Sequence, residues 1–396
     1  MTLWLAMAES PLSILMVMES VFPSPGGGGA ESQVRTLGLE LVKRGHLAHL
    51  VVPMVSAGPT VEHEHLDGMA VTRIPYPKVP LLGAAWMLWC LAWLLIKRRH
   101  DYQVIHAHIA GNMAAVCAVV GKLLGKPVLV KLTGMTEMKG GILDPHPRAT
   151  VRLRRGWLRM GSAYQATSLH IANQLVQAGF ERQKVLTLPN GVDTSRFREP
   201  VAVDDLQEAF CSGKSLVGIY VGRLEQEKGL DLLLAAWAAQ FAGRQDTALL
   251  LVGSGSLEHA LHALGQQLGI ADQVKFLGPR ADVERCLALA NVGLLASEFE
   301  GLSNSLLEYM AAGLPVVGSR VSGTEDWVVN GQTGWIFTPG DEAGLRSALA
   351  EMAQAGVQEL LRLGNIARER IDHQASVEVV VRSLCDLYAR LRQGHG

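Results

Sequence analysis

Short apolar runs recur along the whole chain, at residues 14–18, 48–53, 104–108, 128–131, 248–252 and 274–276. Longer stretches whose apolar residues follow a helical spacing separate them. Strand and helix alternating in this way imply parallel sheets covered by helices on both faces, because parallel strands can be joined only through a crossover. With 396 residues and 48% hydrophobic content, the chain can fill two ordinary domain cores. The fold class read here is therefore α/β.

The densest chemistry lies between Glu300 and Pro315. Two carboxylates, Glu300 and Glu308, flank the small polar residues Ser303, Asn304 and Ser305 at the start of a short helix. Leu306, Leu307 and Met310 fit its apolar face, Ser303 or Asn304 its N-cap, and Gly313 followed by Pro315 its stop. Free backbone N–H groups and the positive end of the dipole at that start suit a phosphate. Carboxylates suit hydroxyls instead, so the pattern fits a ligand carrying both phosphate and sugar.

The two Glu residues eight apart, running into Met310-Ala311-Ala312-Gly313-Leu314-Pro315-Val316-Val317, resemble the signature of the retaining GT-B glycosyltransferases of family 4. The resemblance implies that Glu300 contacts the donor sugar, Glu308 holds the ribose, and Leu302, Ser303, Asn304 and Ser305 approach the diphosphate. Gly222-Arg223-Leu224 with Lys228-Gly229 is similar to the family's diphosphate-binding element, which assigns Arg223 and Lys228 to the leaving group. A departing diphosphate gains negative charge and needs fixed cations, Arg as a planar fork and Lys as a point charge. Pro189-Asn190-Gly191-Val192-Asp193 resembles the family's turn at the end of its first domain, placing Asn190 on the cleft wall. Gly323-Thr324-Glu325-Asp326 departs from the usual Gly-x-Pro-Glu. The implied fold is GT-B, two Rossmann-like doubly wound domains facing across a cleft. The expected division is an N-terminal domain over residues 1–197, a linker over 198–214, a nucleotide-sugar domain over 215–375, and a C-terminal helix over 376–396 packing back on the first domain.

In the first domain, Gly28 and Gly29 match the family's Gly-Gly loop facing the donor phosphates; glycines at a helix start let backbone amides approach an anion. Neither this loop nor Gly253-Ser254-Gly255, with Glu258 in the third position, makes a dinucleotide fingerprint. The resemblance sets Gly253 near the nucleotide. His106 and His108 share one strand face; no third metal ligand accompanies them, and His108 is expected to line the cleft. Many relatives end the next strand in His, where this chain has Thr133.

Residues 81–96 form an uncharged apolar run with Trp86, Trp89 and Trp93, followed by Lys97-Arg98-Arg99. Sixteen helical residues reach about 24 Å, short of a ~30 Å hydrocarbon core, so no transmembrane span is expected. A buried packing helix and a face in the membrane interface both remain open. Arg148, Arg152, Arg154, Arg155 and Arg159 around Trp157 suit anionic headgroups or an acceptor phosphate as well as a solvated face. A net charge of −1 gives no nucleic-acid footprint. Five scattered cysteines read as reduced core residues of a cytosolic protein, for which residues 81–99 and 148–159 leave peripheral contact with the inner membrane face open, and residues 1–13 read as an extension too weakly patterned for a secretory signal.

The expected activity is a retaining transfer of a hexosyl unit from a UDP- or GDP-linked sugar to a glycan or lipid-linked acceptor in cell-surface polysaccharide or glycolipid synthesis. No cofactor and no metal are expected, because no Asp-x-Asp occurs. A silent nucleotide-sugar-binding subunit and a GT-B epimerase stand as alternatives.

Overall fold

A computed structural model describes residues 11–23, 28–55, 62–66, 68–138 and 140–394. Residues 1–10 of the expected extension and 24–27 of the glycine-rich loop lie outside them. The chain forms two compact units: Met1–Ala166, Gln174–Leu186 and Val381–Gly396 make the first, Thr167–Asn173 and Thr187–Val380 the second.

The first unit is built from β1 (Ser13–Val17), α1 (Gly29–Lys43), β2 (Leu47–Val55), β3 (Glu62–Leu66), β4 (Met69–Tyr76), α2 (Leu82–Lys97), β5 (Val104–Ala107), α3 (Asn112–Leu124), β6 (Val128–Leu132), α4 (Met135–Met138), α5 (Ala149–Leu158), β7 (Ala163–Ala166), the end of α6 (Leu169–Gln177) from Gln174 on, and β8 (Val185–Thr187); the start of α6, up to Asn173, belongs to the second unit. Its sheet is ordered β3-β4-β2-β1-β5-β6-β7-β8. The strands from β4 to β7 in that order pair parallel, while β3 adds antiparallel to β4. The sequence gives β3 away poorly, because its Glu-His-Glu-His-Leu is an edge strand with polar side chains. Edges of this kind discourage further pairing, and Glu64 meets Arg73 of β4 at 2.5 Å.

The second unit holds α7 (Asp204–Phe210), β9 (Leu216–Val221), α8 (Leu230–Phe241), β10 (Thr247–Val252), α9 (Glu258–Gln267), β11 (Val274–Gly278), α10 (Val283–Leu287), β12 (Val292–Leu295), α11 (Asn304–Ala311), β13 (Val316–Ser319), α12 (Thr324–Trp327), β14 (Gly334–Phe337) and α13 (Glu342–Gln374). All its strands pair parallel, in the order β11-β10-β9-β12-β13-β14. Residues 198–214, expected as a linker, differ from that expectation: they carry α7, whose Leu206 joins the unit's core together with Cys211. The final helix, α14 (Val377–Gln393), enters the first unit at Val381. Val381, Leu384 and Tyr388 are buried at three- and four-residue steps along it, the spacing that sets one helix face against a core. Two polar contacts fix its register: Tyr388 Oη lies 2.7 Å from His106 Nδ1, and Cys385 Sγ lies 3.4 Å from His46 Nε2.

Candidate functional site

Strand order reverses in the second unit between β9 and β12, the inner strand of each half. In open parallel sheets the crevice for a ligand lies beyond the carboxyl ends of the strands at such a reversal. Residues 222–229 follow β9 there, and residues 296–303 follow β12. The backbone after β9 is tied to the loop after β10: Gly222 N donates to Val252 O and Leu224 N to Ser254 O, each at 2.9 Å. This pairing explains a glycine at 253, since a Cβ there would sit 1.9 Å from Gly222 O at a φ of +135°.

A 3-10 turn over Gln226–Lys228 then carries Lys228. Lys228 Nζ reaches Glu300 Oε2 at 2.5 Å, with both side chains largely out of solvent. The same Glu300 oxygen accepts from Ser297 Oγ at 3.2 Å. The next residue, Gly229, lets the turn lie against β12, since a Cβ there would meet Ala296 O at 2.3 Å. Glu298 N donates to Glu227 O at 2.9 Å, which closes the two loops together. Arg223 is exposed and pairs with Glu227 Oε1 at 2.6 Å. Two loops from distant sequence thus bring the expected cation Lys228 and the expected carboxylate Glu300 into direct contact.

α11 begins at Ser303, its N-cap, with no side chain closing the cap. The N-terminus is the positive end of the helix dipole, which favours an anion there. The helix is stitched to the end of β9 by two side chains. Ser305 Oγ donates to Val221 O at 2.7 Å, and the buried Tyr309 Oη accepts from Val221 N at 2.6 Å. At its other end, Leu314 N donates to Tyr309 O and Gly313 N to Met310 O, a Schellman closure. Leu302 and Ser303 are buried. Asn190 is buried too; its Nδ2 donates to Asn304 Oδ1 at 2.8 Å while its own Oδ1 has no partner. Asn190 therefore supports the start of α11.

The carboxyl group of Glu308, one turn into α11, makes no hydrogen bond or ion pair with any described residue, while its backbone carbonyl accepts from Ala312 N at 2.9 Å. Its carboxyl is pushed up to about 7, chiefly by desolvation, with Arg196 drawing it down and Glu284 pushing it further up. A half-buried carboxyl group with no protein partner is poised to accept hydrogen bonds from a ligand hydroxyl.

In the first unit the order reverses between β1 and β5. Gly28 caps α1 with ordinary extended backbone, and nothing lies within 4 Å of where its Cβ would be. Gly29 opens the helix beside it. His106 and His108 stack with ring centroids 4.0 Å apart. Both are buried, and neither ring nitrogen of His108 finds a partner. Burial holds both imidazoles far below their usual range, His106 at about 3. The sequence reading passed over Lys131, a lone charge inside an apolar strand. It is buried on the same sheet face as His106, and desolvation lowers it to about 8. Glu19 and Glu137 were likewise missed. Glu19 Oε2 accepts from Met113 N at 2.8 Å at the start of α3, and desolvation raises its carboxyl. Glu137 accepts from Gly134 N at 3.0 Å and Ala110 N at 3.3 Å, with Thr133 Oγ1 at 3.5 Å. Thr133 thus belongs to a loop organised by Glu137.

Two parallel-sheet α/β units of this kind are the architecture of the GT-B glycosyltransferases. Among solved structures, HepE of Anabaena, crystallised with UDP, matches with a TM-score of 0.77 and 21% identity, covering 96% of this chain and 100% of that one. Sucrose-phosphate synthase of Thermosynechococcus elongatus matches with a TM-score of 0.77 and 22% identity, over 96% and 100%. Family models for Glycosyltransferase Family 4 and for Glycosyl transferases group 1 match residues 27–196 and 215–355. The chain is a family-4-like glycosyltransferase of the GT-B fold. N-acetyl-alpha-D-glucosaminyl L-malate synthase of Bacillus anthracis is 25% identical over 374 residues, 93% of this chain and 94% of that protein. A UDP-Gal:alpha-D-GlcNAc-diphosphoundecaprenol alpha-1,3-galactosyltransferase of Escherichia coli is 25% identical over 306 residues, 74% and 76% of the two chains.

Proposed function

We propose that this glycosyltransferase moves a hexosyl unit from a UDP- or GDP-linked sugar to a glycan or lipid-linked acceptor, with retention at the anomeric carbon and without a metal ion. The observation that carries the reading is the Lys228–Glu300 contact at the strand reversal, beside the unpaired Glu308. In this reading the donor's diphosphate takes Lys228 and the N-terminus of α11, Arg223 swings from Glu227 onto it, and Glu308 accepts from the ribose. Glu300, held by Ser297 and Lys228, accepts from the sugar hydroxyls. Gly222 and Gly253 keep the diphosphate side free of side chains.

The bond from the anomeric carbon to the leaving phosphate oxygen breaks, and a bond to the acceptor oxygen forms on the same face. The acceptor's proton passes to the leaving phosphate. Retention rests on the family likeness. Fixed cations and helix N–H groups supply the positive field that a departing diphosphate needs. The Escherichia coli relative, named for UDP-Gal, and HepE, crystallised with UDP, support nucleotide-sugar chemistry, and synthesis of cell-surface polysaccharide or glycolipid is the role we assign. Five free cysteines accord with a cytoplasmic site.

Thermal melts of the purified chain with UDP, GDP, ADP and their sugar conjugates, with and without EDTA, test this reading. Ligand at about 100 times its Kd stabilises by about 2.7 kcal/mol. One nucleotide should raise the melt, and EDTA should leave that rise intact; a rise abolished by EDTA would overturn metal independence. If no nucleotide moves the melt, the donor site is wrongly placed. NMR of the product's anomeric proton then decides retention.

A further inference from the structure

Four tryptophans of the described residues are strongly exposed, and all lie on one layer of the first unit, where α2 packs on α3 and α3 on α5. Trp86, Trp89 and Trp93 stand 44%, 59% and 56% exposed on α2, and Trp157 is 44% exposed on α5. The indoles of α2 form a ladder, with centroids 5.4 Å apart between Trp86 and Trp89 and 6.4 Å between Trp89 and Trp93. Leu82 and Ile96 extend the same exposed stripe, while Met87, Leu91 and Leu95 bury the opposite one. The other described tryptophans, Trp237, Trp327 and Trp335, are buried. Leaving this much aromatic surface in water is unfavourable, and apolar patches of such size mark a docking face.

Charge identifies the occupant. α2, α3 and α5 contain no Asp or Glu but carry Lys97, Lys122, Arg152, Arg154 and Arg155. None of these five forms a salt bridge with a described residue, nor do Arg148 and Arg159 at the ends of α5. Arg154, Arg155 and Arg159 donate to Asn112 Oδ1, Asp144 O and Ala178 O, which leaves Arg148 and Arg152 as the exposed arginines with no partner among the described residues. A second copy of the chain docked through this face would set cations against cations. At 16 residues α2 is too short to cross a bilayer, and no described helix is long and apolar enough to do so. Indoles prefer the boundary between headgroups and acyl chains, and arginine and lysine beside them meet lipid phosphates.

We propose that the α2–α3–α5 layer docks on the surface of an anionic lipid bilayer, with the Trp86–Trp89–Trp93 ladder at headgroup depth and the exposed Arg148 and Arg152 on lipid phosphates. The docking uses no residue of the second unit and stands independently of the donor reading.

Flotation of the full chain with vesicles tests it. Vesicles of phosphatidylcholine alone are compared with vesicles in which phosphatidylglycerol replaces part of it. The chain should float with the anionic vesicles, its tryptophan emission should shift to the blue, and added salt should weaken binding. Trp86→Ser/Trp89→Ser/Trp93→Ser should keep the melting temperature, because the stripe is exposed, and lose roughly tenfold or more in vesicle affinity. Arg148→Ser/Arg152→Ser should lose most of the preference for anionic over zwitterionic vesicles. Three results would overturn the proposal. The wild type could stay off anionic vesicles, the triple variant could bind as well as wild type, or both vesicle types could bind equally. A wild-type dimer that the triple variant breaks, with no vesicle binding, would give the face to a second copy.

Discussion

At the scale of single residues, the second unit brings opposite charges together at its strand reversal. Lys228 and Glu300 neutralise each other at 2.5 Å in a partly buried place, so neither is left as an uncompensated charge. Under the proposed mechanism, Lys228→Ala removes one fixed cation from the leaving diphosphate. The expected loss is about 3 kcal/mol of transition-state stabilisation, or about 10²-fold in kcat; undiminished turnover would count against Lys228. Glu308 makes a prediction of its own through pH. Its folded value of about 7 lies above the ordinary 4.5, so the folded chain binds this proton more tightly than the unfolded chain does. The stability it contributes is therefore full below about 4.5 and is lost as pH rises through about 7. Glu308→Gln should match wild type near pH 4.5 and melt higher at pH 8 without ligand, by on the order of 2 kcal/mol. Nucleotide affinity should move oppositely, the wild type gaining on the Gln variant as the carboxylate ionises. Parallel pH profiles for the two proteins would contradict both statements.

At the scale of elements, the site depends on loops that approach by backbone. The end of β9 and the start of the loop after β10 share hydrogen bonds that leave no space for a side chain at 253. Gly253→Ala should cost about 2–4 kcal/mol in stability, seen as a lowered denaturation midpoint. Unchanged stability would mean that these loops are free to separate. Sequence spacing locates α11 well, because its cap, its apolar face and its Gly-x-Pro stop are local signals. Nothing local announces that Ser305 and Tyr309 grip both backbone groups of Val221. These partners are 84 and 88 residues away. Linker-like composition at 198–214 likewise concealed α7, because a single buried Leu206 anchors it in a core that sequence alone does not display.

At the scale of the whole molecule, the end of the chain completes a unit begun at its start. Tyr388 of α14 is buried and bonded to His106, while His46, between α1 and β2, touches Cys385. Tyr388→Phe should cost about 1–3 kcal/mol, since it strands a buried imidazole nitrogen. Ending the chain after Val380 should do far more, exposing the first unit's sheet face to rapid proteolysis while the second unit persists. Equal protease resistance of both units would refute this. The alternation of apolar runs determined parallel sheets, chain length with hydrophobic content allowed two cores, and the Glu300–Glu308 motif with Arg223 and Lys228 marked the family, because burial pattern and helix punctuation are local properties of a sequence. Only the tertiary structure decided that Lys228 meets Glu300, that Glu308 stands unpaired, that Lys131 is buried near His106, and that the tryptophans of α2 face outward. Each of these depends on which strand ends and helix faces become neighbours, and long-range packing sets that.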